Sequence, residues 1–123
     1  MTWDPGAAVQ YAKAHKFGST HHECATHVRK AILAGGIRLR IIHDAKDYGD
    51  GLTDEGFYPV AAGSTPRKGD VAVIQPYSGG NPSGHMTIFD GRKWYSDFEQ
   101  IDIWGGPGYR TNKPAYVIYR KDP

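Results

Sequence analysis

The sequence predicts an α+β fold in which N-terminal helices pack on a small antiparallel β-sheet. Two segments with helical apolar spacing, each stopped by glycine, occupy the first 36 residues. Short apolar runs separated by turn residues fill the second half, and sixteen glycines with eight prolines imply a loop-rich chain. Helices first and hairpin-linked strands afterwards is the pattern of segregated layers, not of alternating βαβ units.

Asp4 followed by Pro5 reads as an N-cap with proline at the first helical position. Ala8, Tyr11, Ala12 and His15 then share one face, and Gly18 is expected to end the helix. Ser19 to Glu23 is a polar connector. A second helix carries Cys24, Val28, Ala31 and Ile32 on one stripe and stops at Gly35-Gly36. Ile37 to Ile42 is either a short strand or an extended connection. Asp44 caps a short helix through Lys46 and Tyr48, and Leu52 to Phe57 forms another turn. Val60 to Lys68 reads as a loop.

Strands follow over Asp70–Gln75, His85–Phe89, Lys93–Glu99 and Ala115–Arg120, with loops at Pro76–Gly84 and Gly105–Gly108. No repeat and no linker divides the chain, so residues 1–123 are expected to form a single domain.

A net charge of +2 with no long basic run argues against nucleic acid as a partner. The apolar runs are far shorter than the about 20 residues that span a bilayer, so no membrane association is expected. The start Met1-Thr2-Trp3-Asp4-Pro5 has no basic segment leading into an apolar stretch, so no secretory signal is read there. A single cysteine forms no internal disulfide.

That cysteine, Cys24, lies in the first turn of the second helix. A thiol there gains nearby backbone N–H groups and the positive end of the macrodipole, both of which favour thiolate. As mere packing it would gain nothing from the placement. His85 opens a strand directly after Gly84, which leaves room for a close partner, and the two residues make a nucleophile and base. His15, His21, His22, His27 and His43 lie in helices or connectors, where solvated surface is the default.

A third residue that orients the imidazole is sought on the next strand, at Asp97 or Glu99. A three-residue turn Asp90-Gly91-Arg92 pairs Phe89 with Lys93 and sets His85 opposite Asp97; a two-residue turn sets it opposite Ser96. Asp97 is the assignment adopted. The cluster His21, His22, Cys24 and His27 raises zinc, but its spacing matches no standard metal motif. No metal and no organic cofactor are expected.

The segment Cys24-Ala25-Thr26-His27-Val28-Arg29-Lys30-Ala31, the Gly69-Asp70-Val71 strand entry and Gly84-His85-Met86-Thr87-Ile88 together resemble the CHAP and NlpC/P60 group of papain-like cysteine amidases. Gly91–Phe98 and Trp104–Arg110 narrow the resemblance to type VI secretion amidase effectors, most closely the second amidase-effector family. The resemblance implies a papain-like NlpC/P60-type fold, with Cys24 as nucleophile, His85 as base and Asp97 as third member. It implies peptidoglycan as substrate, cut at an amide of a stem peptide or cross-link. A cognate immunity protein is the expected partner of an otherwise monomeric toxin. Such a toxin is made in the cytoplasm without a signal peptide and acts in the periplasm of a target bacterium. Papain-type enzymes often place an oxyanion-hole glutamine a few residues before the cysteine; this chain has Gly18 there. The alternatives are a phage lysin or housekeeping wall hydrolase of the same chemistry, or a non-catalytic wall-binding module.

Overall fold

The computed structural model describes residues 2–19, 22–61 and 63–123. Helix α1 spans Pro5–Ala14, and Asp4 caps it by accepting from the Ala7 amide at 3.0 Å. It ends at His15, one turn before Gly18. Helix α2 spans Cys24–Ala34 and closes at Gly35. A Cβ on Gly35 would sit 2.5 Å from the Trp3 ring and 2.7 Å from the Asp4 carbonyl oxygen, so only glycine lets the two N-terminal segments meet. Ile37 to Ile42 joins no helix and no sheet. A single 3-10 turn at Ala45–Asp47 leads into α3, Tyr48–Asp54.

The sheet is five-stranded and antiparallel, in the order β1-β5-β2-β3-β4. Its members are β1 (Tyr58–Pro59), β2 (Val71–Ile74), β3 (His85–Phe89), β4 (Trp94–Tyr95) and β5 (Tyr116–Arg120). Strand β1 falls between the turn and the loop expected on either side of it, and the short helix α4, Pro107–Asn112, begins within the loop expected at Gly105–Gly108.

Side chains alternate across the pleat. Val71 and Val73 of β2 and Met86 and Ile88 of β3 join the core beneath Ala8, Val9 and Ala12 of α1 and Val28, Ala31 and Ile32 of α2. The intervening residues, His85 among them, turn away from that core. Asp70 is almost fully buried at the head of β2. Its carboxylate takes two bonds from Arg120 on β5, at 2.9 and 2.7 Å, and a third from the Arg67 amide at 2.8 Å. The Gly-Asp-Val element is therefore a structural clasp. Among the described residues no helix is long and apolar enough to cross a membrane.

The hairpin after β3 departs from expectation. Phe89 pairs with Trp94 and Ile88 with Tyr95, so four residues form the turn instead of three. Asp90 holds it, with Oδ1 accepting from the amides of Arg92 and Lys93 at 2.7 and 2.6 Å. Strand β4 stops after two residues because the chain reverses again at Ser96–Phe98. Tyr95 then bridges Glu99, and the Gln100 amide donates to the Trp94 carbonyl at 2.9 Å.

Candidate active site

Cys24 opens α2, and His85 opens β3. Both line one cleft of about 480 Å³, walled also by the 77–84 loop and by Gly105–Tyr109. Gly84 takes φ +74, and a Cβ there would lie 2.5 Å from the Ile74 carbonyl oxygen. The glycine before His85 is thus required by backbone geometry at the strand entry, a stronger reason than room for a partner.

Strand β4 has peeled away from β3 at this level, which leaves the Met86 amide free to donate to the Cys24 sulfur. The amides of Ala25 and Cys24 point the same way. All three favour thiolate, yet burial dominates and pushes the Cys24 thiol up to about 11. The helix start does not yield a resting thiolate here. Burial likewise pushes His85 below the ordinary histidine range, against a raising contribution from Gln100 and a smaller one from the Asp97 charge. Both groups are neutral near pH 7.

The imidazole is only 8% exposed, and its Nε2 lies 2.7 Å from Gln100 Oε1. Which atom of the Gln100 amide faces the ring is fixed by the other end. Gln100 Nε2 faces the carbonyl oxygens of Asp102 and Ile103, at 2.9 and 3.2 Å, and can only donate to them. Oε1 must then accept, Nε2 of His85 carries the proton, and Nδ1 is left as the basic atom. Gly105 presses on this pair: at φ +79, its Cβ would come 2.6 Å from His85 Nε2 and 3.1 Å from Gln100 Oε1.

Asp97 is fully buried but takes a different place from the one its sequence position suggested. With the four-residue turn it is not opposite His85. Its Oδ2 accepts from the Glu23 amide at 3.1 Å, immediately before Cys24, and its backbone carbonyl accepts from Phe17 at 2.7 Å. It ties the connector to the sheet, and its charge reaches both Cys24 and His85. Glu99 bonds instead to Lys93 and Tyr95, away from the imidazole.

Gln100 was invisible to register counting, because that counting assumed one continuous strand through residue 99. The signal for the second reversal is thin, a Ser-Asp pair in Ser96-Asp97-Phe98. Tyr109 was missed with α4. Gly106-Pro107 is a helix-start signature, proline at the first position, that could have found it.

Of the four residues that raised zinc, His21 lies outside the described residues. Among the described residues no three histidine, cysteine or carboxylate side chains are grouped to hold a metal ion. A larger groove of about 910 Å³ lies between Pro59–Val60, Trp94, Trp104 and Tyr116, with no cysteine or histidine in its lining.

No protein-family model matches the chain, and no curated protein matches it. Solved structures do. A chain of the type VI native effector–immunity complex Tae3–Tai3 from Ralstonia pickettii is 45% identical with a TM-score of 0.92, over 98% of this chain and all of that one. The selenomethionine form of that complex gives 46% identity and a TM-score of 0.87, over 92% of this chain and 98% of the other.

Proposed function

Because the chain belongs to the family of Tae3 type VI effectors, we propose that it is an antibacterial peptidoglycan amidase working through Cys24 and His85. The observation that carries the chemistry is the Gln100 bond, which leaves Nδ1 as the basic atom of an imidazole lining the same cleft as Cys24. A cysteine at a helix start and a histidine at a strand start, in that order, also support the papain-like NlpC/P60 relationship. The sequence resemblance favoured the second amidase-effector family; the solved neighbours carry the Tae3 name, and the placement follows them.

With both groups neutral at rest, the reaction begins without a preformed ion pair. The thiol proton passes to His85 Nδ1 as the sulfur attacks the amide carbonyl carbon, and the π electrons move onto oxygen. The C–N bond then breaks, His85 protonates the departing amine, and a thioester remains. Water, deprotonated by the same nitrogen, attacks the thioester. Carboxylate leaves and the thiol is restored. The Cys24 amide donates to the oxyanion. Gln100 holds the imidazole from behind, while Asp97 fixes the residue before the nucleophile and favours the imidazolium through its charge.

The neighbours are effector–immunity complexes, which supports a cognate immunity protein as partner and the periplasm of a target bacterium as the place of action. Purified protein acting on isolated sacculi, with mass spectrometry of the released fragments, tests the activity and identifies the bond. Cys24→Ala and His85→Ala should each lower the rate by at least about 10³-fold, and the double variant should be no worse than either single one. Near wild-type turnover by Cys24→Ala would overturn the nucleophile.

A further inference from the structure

The site as described offers the oxyanion one donor, the Cys24 amide, and Gly18 has no side chain to supply a second. The cleft holds a hydroxyl that no described residue uses. Tyr109 Oη is shielded from solvent and has no hydrogen-bond partner among the described residues. A buried hydroxyl left without a partner is costly, so its position needs a reason. Tyr109 lines the same cleft as Cys24 and His85, with its ring centroid 5.5 Å from that of His85. Tyr77 packs edge-on against it at 4.9 Å. The helix that carries it is pinned by Arg110, which makes two bonds to Asp102 at 2.7 and 3.2 Å. Asp102 belongs to the segment that clamps Gln100.

We propose that the Tyr109 hydroxyl is the second oxyanion donor, completing with the Cys24 amide the hole that receives the tetrahedral intermediate. This rests on the reading of Cys24 as nucleophile. The hydroxyl stays protonated, because burial above all pushes the phenol up to about 12. It therefore donates throughout the working range. An unpartnered donor held in place by α4 meets the requirement of electrostatic preorganisation: it stands ready before charge appears and gains most when charge does.

Tyr109→Phe removes the oxygen and keeps the ring that packs on Tyr77 and His85. On a soluble muropeptide its kcat should fall about 10²- to 10³-fold, as for loss of one oxyanion donor, with KM within about twofold. Alkylation of Cys24 by iodoacetamide should proceed at the wild-type rate, and the thermal melt should be unchanged. A kcat within about threefold of wild type, or a loss carried by KM, would overturn the assignment, since KM reports ground-state binding. Cys24→Ala measured alongside separates the two failures. If it is inactive while Tyr109→Phe is fully active, only the oxyanion role falls. If Cys24→Ala is itself active, the nucleophile falls and this role with it.

Discussion

At the scale of single residues, the working end of the molecule is a chain of orientation. Two backbone carbonyls fix Gln100, Gln100 fixes the His85 tautomer, and the tautomer decides which nitrogen can take a proton. Gln100→Leu breaks the middle link without adding charge. It should lower kcat by about 100-fold, in the manner of a lost imidazole-orienting partner. It should also move the acid limb of the pH–rate profile to lower pH, because the Gln100 bond raises the histidine pKa and its loss lowers it. A profile with an unshifted acid limb would mean that Gln100 only packs. Cys24 and His85 stand out as candidates in the sequence because a polar connector precedes the start of α2 and a glycine the entry to β3. Gln100 does not, because nothing local distinguishes a glutamine that points at a histidine from one that points at water.

Among the elements, the longer apolar segments were read correctly: α1, α2, β2, β3 and β5 lie where spacing and turn residues put them. The misreadings share a cause. Strands β1 and β4 have two residues each and α4 has six, too few for a periodic signal. Such pieces owe their form to tertiary contacts instead. One of these contacts is the Asp70–Arg120 clasp between the head of β2 and the end of β5. Its carboxylate is 1% exposed, and removing one partner strands the other in a largely dry site. Asp70→Ala should destabilise the protein by about 3–5 kcal/mol, read from urea unfolding. A loss below about 1 kcal/mol would mean that Arg120 finds water on its own.

For the whole molecule, the buried neutral imidazole makes stability depend on pH. Between the ordinary value near 6.5 and its own depressed value, His85 is protonated in the unfolded chain and neutral in the native one. The unfolded state then binds more protons, so stability rises with pH across that window and is lost on acidification. The slope contributed is at most about 1.36 kcal/mol per pH unit for one proton. Urea midpoints at pH 7 and pH 5 should converge more in His85→Asn than in the wild type. Equal shifts in the two proteins would place the imidazole in water.

The strand order carries a consequence for biosynthesis. β5 is the last strand along the chain, yet it lies between β1 and β2. While residues 116–120 remain within the ribosome, β1 has no partner and β2 has one bare edge. The Asp70 carboxylate also waits for Arg120. Non-local pairing of this kind is closed only after its loop entropy is met, so the sheet cannot be completed piecemeal during elongation. The sheet that carries His85 is therefore completed only once residues 116–120 have left the ribosome.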